Sequence, residues 1–272
     1  MRCNVISVET PEKTEAKLYT YFPDNYPEID MQRKRPAVVI CPGGGYEFTS
    51  DREAEAVALR FTAMGYHACV LRYSVAPAEF PQALCELAWC VAHLRRNAKE
   101  YGIVRDKIIV AGFSAGGHLA ASLGVFWNAS WLKEAAALMN EEMRPNGLVL
   151  SYPVITSGCF AHGSSFDFLM GKKAGSELKE YLSLEKQVGK DTPPAFIWHT
   201  AMDKTVPVQN SMLFAGALIE NQISVELHVF PEGDHGLSLA DRETQIAENG
   251  FGIQEECQIW IQMAGRWIAN LH

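Results

Sequence analysis

The chain has 272 residues, of which 48% are hydrophobic, and a formal net charge of −8 at pH 7. Glycine and proline are spread along it rather than clustered, so length and composition predict one large α/β domain over residues 1–272. The acidic balance argues against nucleic acid as a partner, because phosphate backbones are bound by basic surfaces.

The N-terminus and the cysteines indicate the cellular compartment in which the protein is expected. Residues 1–9 lack the apolar segment of a signal peptide, and no apolar run reaches the roughly 20 residues of a membrane span. The seven cysteines are odd in number and lie mostly within apolar segments, which is typical of reduced core residues. We therefore expect a cytoplasmic protein with no membrane partner.

The strands follow a pattern that changes after Pro36. Residues 17–22 are predicted to form an outer, antiparallel strand. The later strands are short, continuous apolar runs, as in a parallel sheet that is covered on both faces. These runs are 37–41, 68–71, 108–111, 148–150, 195–198 and 225–230. The sequence thus predicts a mostly parallel central sheet.

Between these strands, apolar residues repeat at helical spacing, which predicts helices on both faces of the sheet. The first such helix covers residues 54–61; Ser50 and Glu53 fit a capping box at its start, and Gly65 fits a cap at its end. The apolar faces of the further predicted helices are assigned to core packing. These helices lie at 84–91, 208–219 and 260–271.

Residues 155–194 break the alternation. They contain no strand signal and only one short helical piece at 176–184. A stretch of this length without strands, inside a compact domain, more often has a function than serves only as a connection. We expect a lid-like insertion over the carboxyl edge of the sheet.

The segment Gly112–Gly116 reads Gly-Phe-Ser-Ala-Gly and joins the strand 108–111 to a helix-forming stretch. A serine at such a strand-to-helix turn is held in a strained conformation that exposes its hydroxyl, and small neighbours avoid backbone collisions. Ser114 is therefore predicted to be a nucleophile. The alternative is a glycine-rich turn whose serine has no role.

A nucleophilic serine needs a base, and the base needs an orienting acid. On an α/β-hydrolase sheet these follow in the chain order serine, acid, histidine, each after a strand. Asp203 and His235 occupy such positions, in that order after Ser114. We predict that these three residues form a catalytic triad, with Asp234 and Glu232 as competing candidates for the acid.

The run Cys41–Tyr46 reads Cys-Pro-Gly-Gly-Gly-Tyr directly after a strand. Its glycines leave their backbone N–H groups open, whereas Pro42 has no N–H to donate. Gly44, Gly45 and the N–H of Ala115 are the predicted oxyanion donors. No Lys-Ser/Thr pair follows, which disfavours a phosphate-binding loop.

Four further side chains are candidates for lining an acyl or sugar pocket: Tyr46, Phe160, His162 and Phe166. The alternative is that they pack the insertion onto the sheet. His118 is expected to be a structural partner for neighbouring loops. The histidines and acids show no compact metal-ligand spacing, so no metal and no cofactor is expected.

Four motifs in this chain carry a resemblance to a known family. They are Pro-Gly-Gly-Gly-Tyr at 42–46, Gly-Phe-Ser-Ala-Gly-Gly-His-Leu-Ala at 112–120, Asp203 with Val206-Pro207, and Gly-Asp-His-Gly at 233–236. From about Ala37 to the C-terminus the chain resembles the esterase/lipase branch of the α/β-hydrolases. Within that branch it is most similar to bacterial acetyl esterases and acetyl-xylan-esterase-like enzymes, which often have His where this chain has Cys41.

The resemblance implies an α/β-hydrolase fold and the hydrolysis of short acyl esters through an acyl-enzyme. The implied partner is a small ester such as an acetylated sugar or xylo-oligosaccharide. One alternative is an arylformamidase-like amide hydrolase, which shares the glycine-rich loop and the triad. Another is a non-catalytic binding protein on the same scaffold, which the presence of all three triad residues disfavours.

Overall fold

The computed structural model describes residues 1–173 and 175–271, and an eight-stranded sheet runs through it. Its strands are β1 (Arg2–Ser7), β2 (Lys17–Phe22), β3 (Arg35–Cys41), β4 (His67–Arg72), β5 (Ile103–Phe113), β6 (Gly147–Ser151), β7 (Ala195–Thr200) and β8 (Val225–Phe230). Their order across the sheet is β1-β2-β4-β3-β5-β6-β7-β8. The pairs β1/β2 and β2/β4 are antiparallel, and the other neighbours are parallel.

Helices cover both faces of this sheet. They are α1 (Glu55–Ala63), α2 (Gln82–Arg96), α3 (Ala98–Tyr101), α4 (Ala115–Phe126), α5 (Ser130–Ala136), α6 (Asn140–Met143), α7 (Gly163–Met170), α8 (Ser176–Tyr181), α9 (Gln209–Glu220) and α10 (Trp260–Asn270). Among these described helices, none is both long and apolar enough to cross a membrane.

Two hydrophobic cores lie on opposite faces of the sheet. Alternate residues of β3 enter different cores: Val39 packs with residues of α2, α4 and α9, whereas Val38 and Ile40 pack with residues of α1 and α10. All three side chains are fully buried. This two-sided burial explains why the strand is continuously apolar, and it confirms the predicted mostly parallel sheet.

Two strands differ from the prediction. β1 was not predicted, because five of its six residues are exposed and carry no alternating pattern. β5 begins at Ile103, five residues before the predicted run, because its first half includes the polar residues Arg105, Asp106 and Lys107. The pairing of β3 with β5 also shifts register between Arg35 and Ala37.

The ends of α1 give one correct and one wrong prediction. Gly65 follows the helix with φ +93°, and its N–H donates to the carbonyl of Thr62 at 2.9 Å. The capping box is wrong, because the helix begins at Glu55 after an Ala54 N-cap without a side-chain bond. The Glu53 carboxylate accepts hydrogen bonds from other parts of the chain instead.

The insertion 155–194 is packed into the domain. Its described residues contain no strand, as predicted, but they include α7, which the sequence analysis did not predict. Phe166, Leu182 and Leu184 are buried in the core that also contains α4. Ala174 of this segment, and His272 at the end of the predicted domain, lie outside the described residues.

His118 of α4 links this insertion to the loop after β3. One ring nitrogen, Nδ1, lies 3.0 Å from the Tyr46 hydroxyl, and the other, Nε2, lies 3.0 Å from the carbonyl of Leu182, to which it donates. The ring is 1% exposed. The predicted structural role of His118 is confirmed by these contacts.

Gly116 packs against the backbone of residues 41 and 42 with no room for a side chain. A β-carbon there would lie 2.1 Å from the carbonyl oxygen of Cys41 and 2.4 Å from that of Pro42. We expect Gly116→Ala to lower the free energy of unfolding by about 3 kcal/mol, because neither backbone oxygen is free to move aside. Urea unfolding measures this change.

The matched control is Gly216→Ala in the interior of α9, where an added β-carbon would meet nothing within 4 Å. It should raise stability by up to about 1 kcal/mol, because alanine has the higher helix propensity. A Gly116→Ala protein as stable as the parent would contradict the packing described for the turn.

Burial lowers the pKa of His118 to about 4. A histidine in the unfolded chain has a pKa near 6.5, so between pH 6.5 and 4 the unfolded state takes up a proton that the folded state does not. We expect this residue to reduce the stability of the protein by about 3 kcal/mol between pH 7 and pH 4.

The measurement is the free energy of unfolding of the parent and of His118→Gln at several pH values. The variant cannot titrate at this position, so its stability should fall less steeply as the pH decreases. Equal slopes in the two proteins would contradict the assignment.

Candidate active site

The candidate nucleophile, Ser114, lies at the turn between β5 and α4. Its backbone has φ +52° and ψ −119°, a strained conformation for a residue with a side chain. Its N–H donates to the carbonyl of Ser151 and its own carbonyl accepts from Val154, both at 3.0 Å. These bonds to the end of β6 and to the segment after it hold the strained turn, and the residue keeps 8% of its surface exposed.

His235 connects Ser114 to Asp203. Its Nε2 lies 2.7 Å from the Ser114 hydroxyl, and its Nδ1 lies 2.6 Å from Oδ2 of Asp203. An ionised carboxylate only accepts hydrogen bonds, so Nδ1 carries the proton and Nε2 is free to accept from the serine. The structure thus brings the three predicted side chains into one hydrogen-bonded line.

The Asp203 carboxylate is buried and fully hydrogen-bonded. Oδ1 accepts from the backbone N–H groups of Thr205 and Val206, each at 2.9 Å. Burial alone raises the pKa of this carboxyl group, but hydrogen bonds from His199 and His235 outweigh it and hold the pKa below its ordinary value. The group is therefore ionised at neutral pH.

His199 is a neighbour of this carboxylate that the sequence analysis did not connect with the site. Its Nε2 lies 3.2 Å from Oδ2 of Asp203 and 2.9 Å from the carbonyl of Val206. Both partners are acceptors, so Nε2 carries the proton, and Nδ1 accepts from the Ser211 hydroxyl at 2.7 Å. The sequence did offer an indication of this contact, because His199 lies near the end of the strand that leads to Asp203, four residues before it.

The two competing candidates for the acid are both exposed. Among the side-chain hydrogen bonds of the described residues, His235 bonds to Asp203 and to neither Asp234 nor Glu232. The geometry therefore favours Asp203 as the partner of the imidazole.

The glycine-rich loop after β3, residues 42–46, approaches the candidate nucleophile at Gly43. A β-carbon on Gly43 would stand 3.0 Å from the β-carbon of Ser114. The N–H of Gly43 is occupied, because it donates to the Glu53 carboxylate at 2.8 Å. Gly44 and Gly45 have φ +125° and +67°, conformations that favour glycine.

Three N–H groups near Ser114 remain available to a ligand. Those of Gly44 and Gly45 donate to no acceptor within the described part of the chain. The N–H of Ala115 belongs to the first turn of α4, where helix N–H groups have no partner in the helix itself. These are the three donors that the sequence analysis predicted.

Two of the predicted pocket residues are buried. Tyr46 is 3% exposed and bonds to His118, and Phe166 is 1% exposed and packs on the same imidazole in a T-shaped arrangement, with 5.3 Å between centroids. These contacts agree with the alternative in which the two side chains serve packing and do not line a pocket.

Phe160 and His162 of the insertion are half-buried. The backbone carbonyl of Phe160 accepts from Asn210 at 2.9 Å, and Nδ1 of His162 lies 2.8 Å from the hydroxyl of Ser165. Burial, together with the positive charge of a protonated His235, lowers the pKa of His162. These two side chains remain candidates for contacting a substrate.

Within the described ranges, no group of three or more His, Cys, Asp or Glu side chains is arranged to hold a metal ion. The seven cysteines are unpaired, and Cys41, at the end of β3, is buried. Burial raises the pKa of its thiol, so the side chain is neutral beside the glycine-rich loop.

The chain matches known proteins over most of its length. The family model BD-FAE matches residues 24–218. Endo-1,4-beta-xylanase B of Butyrivibrio fibrisolvens is 40% identical over 214 residues, which make up 77% of this chain and 34% of that protein. The chain thus spans about a third of the length of this curated relative.

Two solved structures cover nearly the whole chain. An acetyl ester-xyloside bifunctional hydrolase from Caldicellulosiruptor lactoaceticus is 32% identical with a TM-score of 0.81, over 98% of this chain and 95% of that chain. The carboxylesterase Cest-2923 from Lactobacillus plantarum is 27% identical with a TM-score of 0.88, over 99% and 97%. The chain therefore belongs to the BD-FAE family and has the α/β-hydrolase fold.

Proposed function

We propose that this protein is a serine carboxylesterase that hydrolyses short acyl esters, with Ser114, His235 and Asp203 as its catalytic triad. The observation that carries the proposal is the unbroken line of hydrogen bonds, 2.7 Å from serine to imidazole and 2.6 Å from imidazole to carboxylate. Each bond has the length and the polarity that general-base activation of a serine requires.

In this mechanism the Ser114 oxygen forms a bond to the ester carbonyl carbon while its proton moves to Nε2 of His235. The carbonyl π pair moves to the oxygen and gives a tetrahedral oxyanion. As the pair returns, the bond to the alcohol oxygen breaks, and Nε2 donates its proton to the leaving alcohol. Water then repeats both steps on the acyl-enzyme, and the acid and free serine are released.

The N–H groups of Gly44, Gly45 and Ala115 stabilise the oxyanion. All three are without a partner inside the described chain, and their loops converge on the nucleophile. Loss of one such donor typically costs about 3 kcal/mol of transition-state stabilisation.

Two observations support a small acyl group, and acetyl in particular. Tyr46 and Phe166 are buried against His118, and Tyr152 is buried against the His235 imidazole, so we infer that bulky side chains next to the triad restrict the length of the acyl chain. The neighbour from Caldicellulosiruptor lactoaceticus is named for acetyl esters and xylosides. We infer that the alcohol part of the substrate is a carbohydrate.

The name of the xylanase relative suggests cleavage of the glycan chain itself, which we do not extend to this chain. Glycoside hydrolysis ordinarily uses a pair of carboxyl groups on either side of the scissile bond. Here one carboxylate, Asp203, contacts the imidazole, and the group poised for attack is a hydroxyl. Ester cleavage fits this arrangement.

The triad is tested by substitution, with p-nitrophenyl acetate as substrate. Ser114→Ala should abolish turnover, and Asp203→Asn should lower kcat by about 10⁴, because an amide cannot hold the imidazole in the required tautomer. Matched controls are Ser122→Ala on the same helix and Asp234→Asn beside His235; both should retain activity. Near-normal activity of Asp203→Asn together with a loss in Asp234→Asn would reverse the assignment of the acid.

Substrate class is tested with a panel assayed against Ser114→Ala as the blank. It contains p-nitrophenyl acetate and octanoate, acetylated xylo-oligosaccharides and an N-formyl aryl amine. We expect kcat/KM to be highest on acetyl esters, because the buried aromatic side chains restrict acyl length. Equal values for acetate and octanoate would contradict the small acyl site, and activity on the formyl amide alone would favour the amide hydrolase.

A further inference from the structure

The orientation of the glycine-rich loop depends on a buried carboxylate. Glu53 is 4% exposed, and it has no ion pair with a cationic side chain among the described residues. Its Oε2 accepts the N–H of Gly43 at 2.8 Å, and its Oε1 accepts the hydroxyl proton of Tyr152 at 2.6 Å. A buried carboxylate is costly unless such donors satisfy it, so its place in the fold depends on both partners.

The bond to Gly43 fixes the first peptide of the loop. Gly43 lies close to Ser114, and its N–H donates to Glu53. The next two N–H groups, those of Gly44 and Gly45, are the proposed oxyanion donors. Because a peptide is planar, the bond to Glu53 fixes the plane of the peptide between Pro42 and Gly43, and the residues that follow start from that plane.

Tyr152 carries this connection to the loop that bears the base. Its hydroxyl accepts the N–H of Ser238, three residues beyond His235, at 2.8 Å. Its ring packs on the His235 imidazole in a T-shaped arrangement, with 5.1 Å between centroids and an angle of 72°. Tyr152 is 1% exposed and has a positive φ of 37°, so surrounding contacts hold it in a strained conformation.

We infer that Glu53 and Tyr152 are positioning residues that hold the oxyanion loop and the His235 loop at a fixed distance across Ser114. The connection runs Gly43 N–H, Glu53 carboxylate, Tyr152 hydroxyl, Ser238 N–H, with every polar group paired. The inference rests on the proposed esterase function. It assigns to neither residue a contact with substrate; both act through the groups that make it.

This connection aligns the oxyanion donors with the His235 base. Both groups have to be in their correct positions at the same time. The oxyanion forms as Nε2 of His235 takes the serine proton, so both loops act in one transition state. A misplacement of about 1 Å in such a site typically costs about a hundredfold in rate.

The test uses Glu53→Gln and Tyr152→Phe, which nearly preserve volume and remove one acceptor and one hydroxyl. Active-site titration with a fluorophosphonate counts functional sites, and kcat is then expressed per site. We expect the count to stay near that of the parent while kcat per site falls about a hundredfold with little change in KM. Affinity for a boronic acid that forms a tetrahedral adduct with the serine should fall in proportion to kcat/KM.

Two controls make the same chemical changes away from the site. Glu86→Gln alters a fully buried carboxylate that accepts the N–H of Ser74 at 2.7 Å. Tyr66→Phe removes a buried hydroxyl that donates to the carbonyl of Gly265 at 2.7 Å. Both should lose stability and keep kcat per site.

A merely structural role predicts a different result: fewer titratable sites, each with the kcat of the parent, and unchanged affinity of those sites for the boronic acid. That result would overturn the inference. If Glu53→Gln does not fold, Tyr152→Phe decides the question alone. The double variant should be no slower than the slower single variant, because both changes break one connection.

Failure of this inference is separable from failure of the proposed function. A parent protein without Ser114-dependent ester hydrolysis would refute the proposed function. An active, Ser114-dependent parent whose Glu53 and Tyr152 variants keep their rate per site would refute the positioning role alone.

Discussion

The arrangement of the site depends on a close approach between backbone segments that leaves no room for a β-carbon. Gly116 at the start of α4 lies against the carbonyl oxygens of Cys41 and Pro42, and a β-carbon on Gly112 would lie 2.1 Å from the carbonyl oxygen of Gly116. No side chain separates the turn that carries Ser114 from the strand that leads into the oxyanion loop. The distance between the proposed nucleophile and the proposed oxyanion donors is therefore set by contacts between main chains, which do not change with rotamers.

Near this contact, the side chains of Asp203 and His199 have defined hydrogen-bond partners. The Asp203 carboxylate receives two backbone N–H groups and two imidazoles, and the acceptors around His199 determine which of its nitrogens carries the proton. In surroundings from which water is excluded, such bonds are stronger and an unpaired group is more costly than in water. The polar network therefore specifies one arrangement of the loops.

The sequence predicted the candidate triad because of a property of parallel sheets. The carboxyl ends of β5, β7 and β8 lie at the same edge, so residues 114, 203 and 235, each just beyond a strand, meet there although they are distant in the chain. The glycine run after β3 reaches the same edge for the same reason.

Contacts that join different loops could not be predicted in this way. Glu53 fits the local pattern of a capping box, and only the tertiary structure places its carboxylate between Gly43 and Tyr152. His199 lies within an apolar strand and reads as a core residue until its distance to Asp203 is known. Exposed β1 carries no burial pattern, so its pairing with β2 is likewise a tertiary property.

The attachment of residues 155–194 has a consequence for how substrate preference is able to diverge. This segment meets the rest of the domain at several points: the carbonyl of Leu182 accepts from His118, the ring of Phe166 packs on the same imidazole, and the carbonyl of Asp191 accepts from Trp127. A segment transplanted from a related protein that preserves these contacts would bring a new surface to the region around residue 114 and leave the framework beneath it in place. One that discards them would uncover apolar side chains of the core that also contains α4, so recombination within the family is constrained by these contacts and less by the length of the segment.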